Sequence, residues 1–162
     1  MLHGSTIASD SGPRTSGYAP AVGRLNLVDV LHLLDAPSAA ALAVYRADGS
    51  VHLSPVWYRW TGEAFEVVIA PGDGKLTHLE SDRRVSLLIF EAVSPFRGIE
   101  VRGVAEIRTT GVREARLTIT SRYLGEAGGQ ALTERRGSQG VVLSLRPVEP
   151  RVWDLSELAA PG

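Results

Sequence analysis

The chain has 162 residues, 44% of them hydrophobic and 22% charged, with a formal net charge of −1. These values fit one globular domain and exclude the strongly basic surface of a non-specific nucleic-acid binder. The absence of cysteine excludes disulfides, thiolate metal ligands and a cysteine nucleophile. Because no apolar stretch is long enough to span a bilayer and the N-terminus lacks the pattern of a signal peptide, we expect a cytoplasmic protein.

The first segment, residues 1–20, is rich in Gly, Ser, Thr and Pro and is predicted to be a disordered leader. Residues 21–162 are predicted to form a single domain. This domain begins with a short amphipathic helix over residues 25–35, and Pro37 ends it. The apolar residues at helical spacing on its predicted buried face are Leu27, Val30, Leu31 and Leu34.

The middle of the chain alternates short apolar runs with turn residues, which predicts β-strands. The predicted strands span residues 41–46, 51–60, 65–70, 85–91, 99–108, 141–145 and 151–155. Asp48 and Gly49 are typical of a hairpin turn and join the first two strands. Apolar residues on both faces of 85–91 predict a central, buried strand. In the strand 99–108, the odd-numbered residues are predicted to share one face.

Two further helices are predicted between the strands. One covers residues 75–81, and Asp73 is placed to cap its N-terminus. The other begins after Gly111, whereas residues 125–138 are Gly-rich and carry little pattern. The residues that share the apolar face of this second helix are Val112, Ala115, Ile119 and Tyr123. Six or seven short strands with a few helices predict a mainly β, α+β fold, a closed antiparallel barrel with helices packed on it.

Common catalytic motifs are missing from the sequence. It has no GxGxxG after a strand, no phosphate-binding P-loop, no HExxH and no serine in a nucleophile elbow. The histidines, His3, His32, His52 and His78, fall on different elements without metal-ligand spacing. Redox or other demanding chemistry would therefore have to come from a bound organic cofactor.

A strand-to-helix turn, Gly72-Asp73-Gly74-Lys75, is the first candidate for binding such a cofactor. Its glycines let the backbone approach a ligand, and the helix N-terminus offers free N–H groups to an anion. Lys75, the only lysine of the chain, adds a charge suited to phosphate. The alternative is a plain capped turn with a solvated lysine, which the local pattern favours because Asp73 repels an anion.

The second candidate is the segment Ser54-Pro55-Val56-Trp57. Because proline has no N–H, Pro55 predicts an edge strand or a bulge, and bulges often lie beside sites. Trp57 is placed to lie against a planar ring system. Alternatively, Trp57 and its neighbours Tyr58 and Trp60 fill the core and a dimer interface. The pattern leaves both interpretations open.

Taken in order, these segments resemble the pyridoxamine-phosphate-oxidase-like superfamily, and within it the small deazaflavin-dependent reductases, the branch that holds biliverdin-type reductases. The resemblance runs from about Leu34 to Leu155. It is carried by four stretches, ALAVYRADGSVHLSPVWYRW, IAPGDGKLTHLESDRRVSLLIFE, GIEVRGVAEI and VVLSLRPVEPRVWDL. No single motif among them is highly specific, so the resemblance depends on their order and spacing.

The resemblance implies an FMN-binding type of split β-barrel, a homodimer, and two cofactor sites at the dimer interface. It implies that Lys75 reaches the cofactor phosphate, which reverses the local preference for a plain turn. The residues that it places around the cofactor are Ser54, Pro55, Val56 and Trp57 beside the ring, and Ala70, Gly72, Gly74, Lys75 and Arg84 near the phosphate and beyond. FMN-binding members often have Ser-Arg-Lys where this chain has Asp73-Gly74-Lys75, which favours the deazaflavin coenzyme F420 over FMN.

The function implied is transfer of a hydride from reduced F420 to an unsaturated small or polycyclic substrate, without a metal. Tyr123, Arg59 and Arg97 are candidates to polarise a substrate carbonyl, and no catalytic acid is assigned. Basic residues beyond the phosphate are expected to hold the charged tail of F420. The candidates are Arg83, Arg84, Arg59, Arg97 and Arg102. Two alternatives remain: an FMN-dependent oxidoreductase, and a non-catalytic binder of a flavin, haem or other planar ligand.

Overall fold

The computed structural model describes residues 25–159, so the leader predicted over residues 1–20 lies outside the described residues. The elements are a 3-10 helix (Leu27–Leu34), β1 (Ala40–Tyr45), β2 (Val51–Val56), β3 (Arg59–Trp60), β4 (Phe65–Ile69), α1 (Gly74–Ser81), β5 (Arg84–Phe90), β6 (Gly98–Val104), β7 (Glu106–Arg108), α2 (Val112–Arg136), β8 (Val141–Leu145), β9 (Arg151–Trp153) and α3 (Ser156–Ala159). They form two antiparallel sheets, one ordered β2-β1-β5-β6-β9 and the other β3-β4-β8-β7. The predicted mainly β, split-barrel class is confirmed.

Two strands that the sequence predicted as continuous are each divided between the sheets. The strand predicted over 51–60 forms β2 and β3, with Trp57 and Tyr58 at the corner. The strand predicted over 99–108 forms β6 and β7, with Ala105 between them. The described residues therefore contain nine strands rather than six or seven. Apolar alternation continues through such a corner, because the backbone bends toward the other sheet while the inward-facing residues still face the core.

The hydrophobic core lies between the two sheets. Its largest fully buried side chains include Tyr58, Phe65, Leu42, Ile69, Leu79, Leu87, Ile89, Ile99, Leu143 and Leu145. The alternation predicted for β6 is confirmed, because Ile99 and Val101 are buried while Arg102 and Val104 are exposed. The predicted central position of β5 is confirmed as well, since it lies third among the five strands of its sheet.

The N-terminal helix buries most of the predicted face but differs from it at Leu31 and Leu33. Val30, Leu33 and Leu34 are buried, whereas Leu31, which was predicted to be buried, is exposed. The segment is a 3-10 helix with three residues per turn, so Val30 and Leu33 lie on one face. The α-helical period therefore predicted the burial of Val30 and Leu34 correctly but misplaced Leu31.

Helix α2 consists of two helical segments joined at Gly125, whose backbone lies outside the helical region (φ 74°, ψ 167°). The second segment folds back on the first: a Cβ on Gly129 would lie 2.3 Å from Ser121 Oγ, and Thr120 Oγ1 donates to the carbonyl oxygen of Gly129 at 3.1 Å. Residues 125–138, patternless in the sequence, are thus mostly helical. Their glycines permit the turn and the close approach. No helix in the described part of the chain is long and apolar enough to cross a membrane.

The outer faces of the two sheets differ. Val112 and Ala115 of α2 cover the four-stranded sheet, where they pack against Val142. The outer face of the five-stranded sheet carries exposed apolar side chains. Among them, Leu53 is 65% exposed and Val104 is 67% exposed. An apolar face of this kind is typical of an interaction surface.

Candidate functional site

The two segments that the sequence singled out lie next to each other. Trp57, at the β2–β3 corner, and Ala70, directly after β4, line the same cleft. Near the other end of β2, a Cβ built on Gly74 would lie 4.0 Å from His52 Cε1. The segment that leads from β4 into α1 therefore lies beside both ends of β2: Ala70 beside the β2–β3 corner and Gly74 beside His52.

Pro55 lies on an edge strand, as its missing N–H predicts. β2 is the outermost strand of its sheet, and Pro55 is paired with Ala41 of β1. The neighbouring Ser54 is paired with Leu42, and its hydroxyl oxygen is buried with no hydrogen-bond partner among the described residues. A buried hydroxyl costs free energy until it is partnered. Ser54 Oγ thus lies on the same face of the sheet as the buried Leu42 and lacks a partner within the described residues.

Lys75 is buried rather than exposed, which corrects the expectation of a solvated side chain. It is 8% exposed, and its Nζ lies 2.8 Å from Asp73 Oδ2. Asp73 caps α1 as predicted, because its Oδ1 accepts a hydrogen bond of 3.0 Å from the Lys75 backbone N–H. Burial works to raise the pKa of Asp73, but the hydrogen bonds and charge of Lys75 outweigh it and hold the pKa below its ordinary value. A phosphate at Lys75 would share the ammonium with this carboxylate.

The backbone of the turn is open to a ligand. Gly72 has φ 78°, which L side chains rarely adopt, and a Cβ there would meet nothing within 4 Å. Ala70, Pro71 and Gly74 are exposed. This room, with the helix N-terminus beside it, fits the phosphate group that the family resemblance implies.

Two histidines come together at this turn. The ring centroids of His52 and His78 are 5.6 Å apart, with the planes at 71°. The two histidines are distant in the sequence, one in β2 and the other in α1. The packing of α1 beside the sheet brings their rings together. Within residues 25–159, no group of three or more His, Cys, Asp or Glu is placed to hold a metal ion.

Trp57 differs from the two aromatic residues that follow it. Tyr58 and Trp60 pack in the core, as one of the two sequence interpretations held. Trp57 is 38% exposed, and its ring is stacked on Tyr123 at a centroid distance of 4.9 Å with 7° between the planes. The Tyr123 hydroxyl donates to the Ser38 carbonyl oxygen at 2.8 Å. One face of Trp57 is therefore fixed by α2, and the residue also borders the cleft.

The cleft beside Trp57 has a volume of about 240 Å³ and contains two arginines that the sequence did not single out. Arg116 comes from the first segment of α2 and Arg136 from the second. Arg116 is buried and donates to the carbonyl oxygens of Gly137 and Gln139. Only the fold-back of α2 brings the two guanidinium groups together. The sequence lacked a signal for that fold-back, apart from its glycines.

Most of the arginines expected to form a groove for a cofactor tail are instead paired with acidic side chains. The pairs are Arg59 with Glu66 and Glu114, Arg84 with Asp82, Arg97 with Glu91, and Arg102 with Glu100. Arg84 also lies over the Tyr45 ring, on the outer side of the five-stranded sheet. Because Arg59, Arg97 and the Tyr123 hydroxyl are all engaged within the chain, none is free to polarise a substrate without losing these contacts.

A buried aromatic and cationic cluster lies behind Trp57. The Arg122 guanidinium carbon is 5.1 Å from the centroid of the Tyr58 ring. Burial, only partly offset by Arg122, raises the pKa of Tyr58 to about 12. Tyr58 Oη and Arg122 Nε are buried without hydrogen-bond partners among the described residues. The cluster fixes the β2–β3 corner against α2, and Tyr58 stays protonated at neutral pH.

One known protein family matches most of the chain. The model of the pyridoxamine 5'-phosphate oxidase family matches residues 29–154, well over half of the chain. The chain belongs to the pyridoxamine 5'-phosphate oxidase family. The match includes both the β2–β3 corner and the turn before α1. No curated protein sequence matches the chain.

Solved structures show the same fold. The conserved hypothetical protein Rv2991 from Mycobacterium tuberculosis is 22% identical, with 85% of this chain and 90% of that chain covered and a TM-score of 0.71. An F420 reductase is 24% identical, with coverages of 74% and 93% and a TM-score of 0.60. HutZ, a haem storage protein from Vibrio cholerae, is 16% identical, with coverages of 78% and 92% and a TM-score of 0.60. The pyridoxamine 5'-phosphate oxidase fold thus includes proteins named as reductases and as haem proteins.

Proposed function

We propose that this protein is an F420-dependent oxidoreductase that transfers a hydride to an unsaturated small or polycyclic substrate. The observation that carries the proposal is the packing of β2 and the β2–β3 corner beside the segment that leads into α1. Trp57 at the corner and Ala70 line one cleft, and His52 near the start of β2 lies beside Gly74. Membership of the pyridoxamine 5'-phosphate oxidase family and the fold shared with an F420 reductase support it.

Each residue proposed to hold the cofactor has a distinct task. Lys75 and the open backbone at Gly72 and Gly74 bind the phosphate. The unpartnered hydroxyl of Ser54 supplies a hydrogen bond to a polar atom of the ring system. Trp57, held by Tyr123, keeps water from one side of the ring. Pro55 and Val56 are proposed to run beside the ring, and Arg84 to reach beyond the phosphate.

The chemical contribution of the chain itself is to bind and to orient. When bound, the reduced deazaflavin supplies a hydride from its ring carbon C5 to the substrate. The proton that completes the reduction is proposed to come from water, because the Tyr123 hydroxyl already donates to the Ser38 carbonyl oxygen. The high pKa of Tyr58, about 12, keeps that buried phenol protonated.

The active unit is proposed to be a homodimer with the cofactor at the subunit interface, in the cytoplasm. The exposed apolar side chains on the outer face of the five-stranded sheet, such as Leu53 and Val104, support an interface there. Arg84 lies on the same face, from which it would reach toward the partner subunit.

Binding of the two cofactors tests the proposal. Purified protein is titrated with F420 and, separately, with FMN, and quenching of tryptophan fluorescence is followed. We expect F420 to bind more tightly, and its binding to weaken more with salt than that of FMN, because screening acts on every charge of the tail. Submicromolar affinity for FMN with no detectable binding of F420 would overturn the proposal and favour an FMN-dependent oxidoreductase.

The second candidate function is non-catalytic binding of a flavin, haem or other planar ligand. It is favoured by the fold shared with a haem storage protein and by the His52–His78 pair between β2 and α1. Turnover separates the two functions. Oxidation of reduced F420 that depends on an added unsaturated acceptor supports the enzyme, whereas tight haem binding without any such oxidation supports the binder.

A further inference from the structure

The cleft beside Trp57 has the composition of a binding site for an anionic group. Trp57 and Ala70, both assigned above to the cofactor, border the cleft, but neither supplies its positive charge. Arg116 and Arg136 supply positive charge, while Val68 and Leu132 supply apolar surface. Lys75 does not line this cleft and is already paired with Asp73. It is therefore a separate place for negative charge.

The charge of these two arginines is uncompensated in the described part of the chain. The ion pairs among residues 25–159 involve neither Arg116 nor Arg136. Two backbone carbonyls accept hydrogen bonds from Arg116, but a carbonyl supplies no net charge. Burial, together with the charge of Arg136, lowers the pKa of Arg116. Arg116 is buried, whereas Arg136 is exposed. Because buried charges in proteins are normally paired, Arg116 lacks its counter-ion.

The size of the cleft limits what it can hold. Its volume of about 240 Å³ is smaller than the roughly 300–1,000 Å³ of pockets that enclose a whole drug-sized ligand. The cleft therefore has room for one end of a ligand, and the main body of that ligand would lie outside the cleft. Two guanidinium groups bind carboxylate and phosphate oxygens with the strongest of the charge-assisted hydrogen bonds.

We propose that the cleft lined by Trp57, Ala70, Arg116 and Arg136 binds an oxyanion, a carboxylate or a phosphate, at the end of a ligand with an apolar body. The oxyanion belongs either to the substrate or to the tail of the cofactor. This choice of source rests on the proposed function, whereas the oxyanion site itself does not.

A pair of small probes tests the site without any cofactor. 2-Naphthoate and its neutral analogue 2-naphthamide share one planar apolar body and differ in charge, and their dissociation constants are measured by titration calorimetry. We expect naphthoate to bind more tightly than the amide to the parent protein. In Arg136→Gln, naphthoate should bind about tenfold more weakly, the loss of one charge-assisted hydrogen bond, while the amide is unaffected.

Arg135→Gln is the matched control, because Arg135 is the adjacent exposed arginine of α2 and does not line the cleft. Arg136→Glu, which reverses the charge, should abolish the preference for naphthoate. Circular dichroism confirms that each variant is folded. Equal losses in the Arg135 and Arg136 variants, or no preference for naphthoate in the parent, would overturn the proposal.

Binding of two deazaflavins then identifies the source of the oxyanion. If Arg136→Gln weakens binding of F420 but not of the tail-less deazaflavin chromophore, the oxyanion is that of the cofactor tail. If both deazaflavins bind unchanged while naphthoate still depends on Arg136, the oxyanion is that of the substrate. If no deazaflavin binds but the Arg136-dependent preference for naphthoate persists, the proposed function fails and the oxyanion site stands.

Discussion

The indole ring of Trp57 lies flat against the phenol ring of Tyr123, with the centroids 4.9 Å apart and the planes 7° apart. These residues are far apart in the sequence and belong to the β2–β3 corner and to α2. The Tyr123 hydroxyl accepts from the Tyr58 backbone N–H at 3.4 Å and donates to the Ser38 carbonyl oxygen at 2.8 Å. The candidate site is thus held in shape by one aromatic side chain that joins three parts of the chain.

Replacing Tyr123 with phenylalanine should preserve the stacking and remove both hydrogen bonds. We expect the free energy of unfolding to fall by about 1 kcal/mol, the usual net contribution of such bonds. Urea denaturation followed by tryptophan fluorescence measures it. Tyr45→Phe is the control, since the Tyr45 hydroxyl makes no hydrogen bond within residues 25–159. A loss of the same size in both variants would contradict the bridging role of Tyr123.

Asp73→Asn should tighten cofactor binding. Asparagine retains the cap of α1 but removes the carboxylate that holds Lys75 Nζ at 2.8 Å. Freed from this partner, Lys75 should bind the cofactor phosphate about threefold more tightly. Fluorescence titration with F420 provides the measurement, and Asp48→Asn in the exposed hairpin turn is the control. Unchanged or weaker binding in Asp73→Asn would remove Lys75 from the phosphate site.

Glu66 makes stability depend on pH at the acid end. It is buried between Arg59 and Arg108, at 2.7 and 2.5 Å. Burial works to raise its pKa, but the hydrogen bonds from both arginines hold the pKa below the ordinary value of 4.5. Because the folded-state pKa is lowered, its contribution to stability is complete above 4.5 and is lost as the pH falls from there through the folded-state value.

Glu66→Gln should therefore lower the free energy of unfolding by about 2 kcal/mol at neutral pH. It should also make the loss of stability on acidification shallower, as urea denaturation across the acid range will show. Glu63→Gln, in an exposed pair with Arg146, should change stability by less than about 0.5 kcal/mol. If Glu66→Gln retains the full acid dependence of the parent, other carboxylates are responsible for it.

Gly129→Ala should force apart the two segments of α2. The added Cβ would lie 2.3 to 2.5 Å from the side chain and backbone of Ser121. We expect a loss of about 2 kcal/mol in stability, typical of overpacking at a close approach. Gly74→Ala, where the nearest atom is 4.0 Å away, is the control and should be tolerated in thermal unfolding. Equal midpoints of thermal unfolding in Gly129→Ala and Gly74→Ala would argue against the close packing of the two α2 segments.

Leu53→Glu should disrupt the proposed homodimer. Leu53 is 65% exposed on the outer face of the five-stranded sheet, so a charge there is harmless to the folded chain but unfavourable in an apolar interface. Light scattering should show a dimer for the parent and a monomer for the variant at micromolar concentration. Val148→Glu, 80% exposed in the loop before β9, is the control. A monomeric parent would contradict the dimer itself.

The sequence by itself determined the class of fold and where the two candidate segments lie along the chain. Local features are sufficient for that: alternation predicted β6, and apolar residues on both faces predicted the central position of β5. Pro55 predicted an edge strand, and Asp73 predicted a helix cap. Each depends on the backbone geometry of a few neighbouring residues, which tertiary context did not override. The resemblance to the family then placed these segments around a cofactor.

The tertiary structure alone decided which charges are free. The sequence could not show that Lys75 is paired with Asp73, nor that Arg59, Arg97 and Arg102 have acidic partners, because each pair depends on the directions that the folded backbone gives the two side chains. It also gave no sign that Arg116 and Arg136 share a cleft. Twenty residues separate them, and a helix reversal at Gly125 with close packing at Gly129 brings them together. Local periodicity carries no information about such long-range packing.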